Sequence, residues 1–209
     1  MRVYAGPMTQ RPFHHGNLRA VLLDEATAVL RESGVDGLSL RDLARRAGVS
    51  HGAPRSHFVD RQALLDALAE FGFERLTAEV RRVLEAGGDL PVRFRRVARA
   101  YVDFAIDDAA LMELMFQAKV TQRPGRLHEA AGVLFSVLDG ALGPAVDEPA
   151  DADARDVFKM LFAATMQGIA ALVSSGRIAR AQADRLVDAA VDTMLESSLR
   201  ERATEAPAP

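Results

Sequence analysis

From residue 17 onward, apolar side chains recur at intervals of three and four, the spacing of one buried helical face. Leu18, Leu22, Ala26, Val29 and Leu30 set the first such run, and Gly34 stands where a C-terminal glycine cap belongs. Ser39 followed by Asp42 reads as a capping box with aspartate in the glutamate role. It opens a short helix, residues 40–47, that Gly48 ends. Ser50 is positioned to cap a second short helix reaching about Phe58. Asp60 then caps a long helix, with Leu64, Leu65, Leu68, Phe71, Leu76, Val80 and Val83 on or near one face. Gly87-Gly88-Asp89 breaks the chain, and Pro91 suits the first turn of a helix ending near Ile106. Asp107 and Asp108 precede an apolar segment, 109–118. Pro124 starts another helix, to about Leu142, and Gly143, Pro144 and Pro149 mark a loop. Residues 152–175 predict a long helix closed by Gly176, and 178–202 predict the last. Strand signals are almost absent. The expectation is an all-α protein of about nine helices, with residues 1–13 as a flexible arm and a frayed tail.

Composition adds exclusions. The chain has 209 residues, 49% hydrophobic and 26% charged, which is ordinary for a soluble globular protein and enough for one large domain or two small ones. It has no cysteine, which excludes disulfides, thiolate zinc sites, iron–sulfur clusters and cysteine nucleophiles. No apolar run approaches the roughly 18 residues of a membrane span, and residues 1–11 lack the apolar core of a signal peptide. A cytoplasmic protein with no membrane partner is expected.

Charge is distributed unevenly. Residues 1–61 carry nine arginines, no lysine and six acids, a net +3, whereas residues 62–209 carry a net −6. Four of the five histidines, His14, His15, His51 and His57, also lie in the first part. A basic head on an acidic body points to an N-terminal anion-binding surface. The preponderance of arginine over lysine reads as codon bias, not chemistry.

The chemistry concentrates in Ser39 to Phe58, SLRDLARRAGVSHGAPRSHF. Two short helices meet at Ala47-Gly48-Val49-Ser50, the layout of a helix-turn-helix. Gly48 permits a positive φ at the reversal. Val49 can drop between the helices, and the small Ala44 and Ala47 let them cross closely. A helix capped at Ser50 would leave its N-terminal amides free for a phosphate. It would expose His51, Ala53, Arg55 and Ser56 to base edges and phosphates.

In this context the chain resembles the tetracycline-repressor (TetR) family of transcriptional regulators. The resemblance covers about residues 13–76. It includes the first helix ending in glycine, the serine-capped second helix, Ala-Gly-Val-Ser, a short recognition helix ending in His57-Phe58, and Asp60-Arg61-x-x-Leu64-Leu65 opening the long helix. The resemblance implies a helix-turn-helix DNA-binding domain over residues 14–76 and an effector-binding and dimerisation domain over 77–209. It implies a homodimer that binds a palindromic operator, most simply as a repressor, and is released by a small-molecule effector. The implied DNA-binding residues are Ser39, Arg41, Ser50, His51, Gly52, Ala53, Arg55, Ser56, His57 and Arg61. Arg55 and His51 would face the major groove, with Arg41, Ser50, His57 and Arg61 on phosphates and the 11–17 arm on the adjacent backbone or minor groove. Arg55 stands where the family usually has an aromatic residue, and Arg61 where it has lysine. Pro54 lies inside the recognition helix, so a short or distorted helix start is expected.

Residues 100–116 and 166–178 resemble the effector domain of a subgroup that carries a tryptophan and a His-Gly pair. This chain has no tryptophan and has Gln167-Gly168 at the pair. An apolar pocket is expected beside the C-terminal half of the long helix, lined by Tyr101, Phe104, Met112, Met115, Phe116, Phe135, Phe162, Met166 and Gln167. Such residues at helical spacing also serve as plain core. A two-fold four-helix bundle is expected from the last two long helices. Ala163, Ala164, Gly168 and Ala171 would come from the first, with Leu186, Val187, Ala190, Val191, Met194 and Leu195 from the second.

No Gly-x-Ser-x-Gly, His-Glu-x-x-His or phosphate-binding glycine loop occurs. No catalytic residue, cofactor or metal is therefore assigned. His14-His15 reads as part of the arm, Arg45 and Arg46 as DNA contacts or solvated charges, and Asp147, Glu148, Asp151 and Asp153 as a solvated loop. The competing reading is a helical small-molecule-binding or enzymatic protein with a degenerate DNA-binding head.

Overall fold

The computed structural model describes residues 18–121, 125–142 and 152–204; side chains are described from 18 to 117, 125 to 142 and 153 to 204. The arm with His14 and His15, and Asp147, Glu148 and Asp151 of the acidic loop, lie outside these residues. Among the described residues there are nine α-helices and no strand: α1 Leu18–Ser33, α2 Leu40–Arg46, α3 Arg61–Glu85, α4 Leu90–Asp107, α5 Ala109–Thr121, α6 Arg126–Ala141, α7 Ala152–Ser174, α8 Arg180–Leu195 and α9 Ser198–Thr204. Nine is the expected number, but two helices differ from expectation. The recognition element is only a 3-10 turn, Ala53–Ser56, and the single last helix is divided into α8 and α9 at Glu196 and Ser197.

Local chemistry accounts for most boundaries. The Ser39, Asp60 and Asp89 side chains accept bonds from the amides of Asp42, Ala63 and Val92, starting α2, α3 and α4. Gly34 and Gly48 follow α1 and α2 with φ of 67° and 66°. Asp42 does not complete a capping box, because its carboxylate accepts from Arg45 and Arg46 instead.

The recognition element is short for a definite reason. An α-helix capped at Ser50 needs an N–H at residue 54 to reach the Ser50 carbonyl, and Pro54 has none. The Ala53 amide donates to that carbonyl instead, at 3.0 Å, and Arg55 donates to Gly52 at 3.1 Å. Both bonds have the tighter three-residue spacing. Ser50 therefore does not act as the side-chain cap, and the anion-binding helix terminus drawn from the sequence is replaced by this turn.

α3 is the spine. It begins among the N-terminal elements and packs along α4, α5 and α6, while α4 packs on α7 and α8. The α3–α5 crossing is close because Gly72 has no side chain. A Cβ there would lie 2.6 Å from the Met115 sulfur and 3.2 Å from Leu111 Cγ. One continuous apolar core joins Leu22, Leu43 and Phe58 to Tyr101, Met115 and Met166.

The sequence expectation about membrane spans needs correction. One helix, over Asp153–Ser174, is long and apolar enough to cross a membrane, with mean hydropathy 1.5. Its composition follows from its position. One side packs on α4, α8 and α9, while Val157, Met160 and Leu161 are exposed on another.

Candidate functional site

The N-terminal elements form a small platform. Leu43 and Ala44 of α2 are fully buried, Ala47 nearly so, and the Val49 amide closes the turn on the Ala44 carbonyl at 3.0 Å. Pro54 is buried under the 3-10 turn. Phe58, only 1% exposed, ends the platform with its amide on the Pro54 carbonyl at 2.9 Å and the Arg19 guanidinium over its ring.

This buried frame pushes the intervening polar residues outward. Ser39, Arg41, Ser50, His51, Gly52, Arg55, Ser56 and His57 are all exposed, and Ala53 is half-buried. The structure thus leaves these residues, Ala53 apart, open to solvent. Ser39 is committed to capping α2, and the Ser56 hydroxyl donates to the Ala53 carbonyl at 2.7 Å. Among the described residues, the guanidinium groups of Arg41 and Arg55 make no ion pair. Val59, four residues after Arg55, is 77% exposed. Its sequence signal was an apolar residue between the Phe58 anchor and the Asp60 cap that neither apolar stripe uses.

Two neighbouring cations are tied back. Arg45 pairs with Asp42 at 2.5 Å, and Arg46 bridges Asp42 and Glu32. These contacts hold the Glu32 and Asp42 carboxyls below their usual range through hydrogen bonds from Arg46 and Arg45, respectively. Arg61 also departs from a purely phosphate-facing role. Its Nη2 donates to the Val35 carbonyl at 2.7 Å and its Nε to the Leu38 carbonyl at 3.3 Å, fastening the α1–α2 connection to the start of α3. Arg61→Ala is expected to lower stability by about 1 kcal/mol, the usual scale for hydrogen bonds that water can replace. A urea midpoint matching the parent would show that the fastening contributes nothing.

The expected single apolar pocket is divided in the structure. Met112, Phe116 and Gln167 do line one groove of about 570 Å³ between the α4–α5 corner and α7, with Ala105, Ala109 and Ala170. Tyr101, Met115 and Met166 are at most 1% exposed and are solid core. Phe162 packs edge-on against Phe94, 5.5 Å between ring centres. Phe104 lies under the Arg75 guanidinium, and Phe135 is half-buried on α6. Helical rotation is the cause, since neighbours on α4, α5 and α7 point about 100° apart and cannot all face one cavity. The Tyr101 hydroxyl meets Gln167 Oε1 at 3.4 Å, and burial pushes its pKa above the ordinary tyrosine range. A second groove, between α3 and α6, is lined by the charged Glu70, Glu74, Arg81, Arg126 and Glu129 together with Thr77, Ala130 and Val133.

The α7–α8 face also splits. Leu161, Gly168, Leu186 and Ala190 line a shallow open apolar face with Ile169 and Leu172, and a Cβ on Gly168 would meet nothing. Ala164 is exposed, Ala163 and Leu195 are half-buried, and Ala171 is turned toward the α5 groove. Val187 and Val191, each 1% exposed, face the chain's own core with Ala183, and Met194 is 7% exposed. Residues 183, 187 and 191 form the inward stripe, 186 and 190 lie on the outward one, and Met194 also lines the open face. Among the described residues, no cluster of His, Asp or Glu has the arrangement of a metal site.

Comparison with known proteins bears on both halves of the chain. Residues 22–68 match the family described as bacterial regulatory proteins, tetR family, and residues 94–196 match the tetracyclin repressor-like C-terminal domain. The HTH-type transcriptional regulator BetI of Serratia proteamaculans is 32% identical over 120 residues, which are 54% of this chain and 61% of that protein. A solved protein of unknown function from Rhodococcus sp. RHA1 is 42% identical, covers 88% of this chain and 97% of its own, and superposes with a TM-score of 0.72. The TetR-like regulator LfrR from Mycobacterium smegmatis, solved with proflavine, shares the fold at 22% identity, covering 87% of this chain and 97% of its own with a TM-score of 0.62. The chain spans between 21% and 61% of the length of the first curated relatives that it matches.

Proposed function

This chain belongs to the tetR family of bacterial regulatory proteins, transcriptional regulators that are not enzymes, and on that premise we propose that it is a homodimeric repressor released from a palindromic operator by a small, largely apolar effector. In this reading residues 14–76 bind DNA, and residues 77–209 bind the effector and dimerise.

The observation that carries the reading is the platform of the helix-turn-helix. It buries Leu43, Ala44, Pro54 and Phe58 and exposes Arg41, Ser50, His51, Arg55 and His57, and among the described residues Arg41 and Arg55 make no ion pair. Arg55 suits the O6 and N7 edge of a guanine, while Arg41 and His57 suit phosphates. The short 3-10 turn directs only a few side chains at bases, so Arg55 carries a large share of the discrimination. The groove holding Met112, Phe116 and Gln167 is the effector site of this reading, and the apolar α7–α8 face is the dimer contact. Pairing that face about a two-fold axis would cover its exposed Leu161 and Leu186 and present two heads to two half-sites.

Arg55→Ala is expected to weaken operator binding by about 1–3 kcal/mol and to relax base preference at one position of each half-site. Titration of labelled operator with parent and variant reads both effects. Equal affinity and equal preference would remove Arg55 from the interface.

A further inference from the structure

Asp108 stands where α4 ends and α5 begins, and its surroundings differ from those of an ordinary helix breaker. Its amide donates to the Phe104 carbonyl at 2.9 Å and its carbonyl accepts from the Met112 amide at 2.8 Å, so one residue closes α4 and opens α5. Its side chain is 3% exposed. The carboxylate receives Arg31 as a fork, Nε on Oδ1 at 2.7 Å and Nη2 on Oδ2 at 2.9 Å. Arg75 of α3 adds a third bond at 3.2 Å, with its guanidinium lying over the rings of Phe71 and Phe104.

Arg31 is in the last turn of α1, 77 residues away in the chain, so this fork joins the helix-turn-helix platform to the effector half. A bidentate arginine–carboxylate pair fixes planar orientation as well as distance. The preceding residue, Asp107, turns to another element. It pairs with Arg180, the first residue of α8, which also holds Asp103. The α4–α5 corner is thus fastened to α8 on one side and grips α1 on the other. Ala105, Ala109 and Met112 bracket Asp108 within about one helical turn on each side, and all three line the groove beside α7.

We propose that the Arg31–Asp108 pair is a positioning contact that sets the angle of the DNA-binding platform against the body. Through it, movement of the groove wall at Ala105, Ala109 and Met112 reaches α1 directly, by a route separate from the length of α3. The proposal rests on the functional reading only for its consequence at DNA.

The test uses distances within one chain. The chain contains no cysteine, so Asp36→Cys in the platform and Ser136→Cys on α6 create two unique spin-label sites. Labelled chains are diluted in unlabelled chain, and the distance distribution is measured by pulsed electron resonance in the Arg31 parent, in Arg31→Gln and in Arg31→Lys. We expect a single narrow distance in the parent and at least a twofold broader distribution in Arg31→Gln. Arg31→Lys, which keeps the charge without the fork, should fall between them. Affinity for DNA selected from a random pool should fall five- to tenfold in Arg31→Gln. Asp108→Asn serves as a second variant. If it fails to fold, the half-exposed Arg31 positions still decide the matter. An unchanged distribution in Arg31→Gln overturns the proposal, even if its melting temperature falls, because that pattern belongs to a purely structural pair. If the parent binds no DNA, the functional reading fails, while the distance measurement still judges the positioning contact.

Discussion

Phe58→Ala is expected to cost about 3–5 kcal/mol, the range for removing a fully buried aromatic side chain, and to abolish DNA binding. The ring is 1% exposed and belongs to the same buried cluster as Leu22, Leu43 and Leu64. It also ends the recognition turn, since its amide and that of His57 both use the Pro54 carbonyl. The turn has no α-helical hydrogen-bond ladder of its own, so loss of the anchor releases it. Hydrogen exchange in the variant should rise across residues 18–60 and stay close to the parent in α7 and α8. A loss below 1 kcal/mol in urea unfolding would show that the turn is held by something other than this ring.

The second large effect concerns assembly. Leu161 and Leu186 are 46% and 41% exposed in the isolated chain and line the open face between α7 and α8. Changing both to glutamate should leave the monomer folded, because neither side chain is in the core. In a two-fold dimer each change occurs twice, placing four carboxylates in one apolar contact. Each buried, unpaired charge costs several kcal/mol, so the dimer should dissociate at micromolar concentration. Operator affinity should fall with it, because two linked heads bind two half-sites far more tightly than one. Analytical ultracentrifugation decides the first point. A doubly substituted chain that still sediments as a dimer would place the contact elsewhere.

Much of the fold was legible because its signals are local. Ser39 and Asp60 cap in the structure where the sequence placed them, and Gly34, Gly48 and Gly176 take the positive φ that their positions required; Asp89, legible only as part of a break, caps as well. The recognition element was legible only in part. Pro54 announced distortion, but the replacement of a helix by a 3-10 turn depends on how the Ser50 carbonyl finds another donor. The ligand-pocket expectation took apolar residues from four helices as one lining. Periodicity along one helix does not say which face turns inward when helices cross, and Tyr101, Met115 and Met166 went to the core. The same limit applied to Val187 and Val191, one position around the helix from Leu186 and Ala190. In the sequence Asp108 shows only as the second of two acids before an apolar segment. Its partners Arg31 and Arg75 lie 77 and 33 residues away, beyond any short-range pattern.

The most direct test of the account is selection of DNA by the intact chain from a random-sequence pool, with sequencing of the bound fraction over successive rounds at fixed salt. The account predicts enrichment of an inverted repeat whose half-sites share a guanine that loses its enrichment in Arg55→Ala. A bound fraction as random as the starting pool would contradict sequence-specific operator binding.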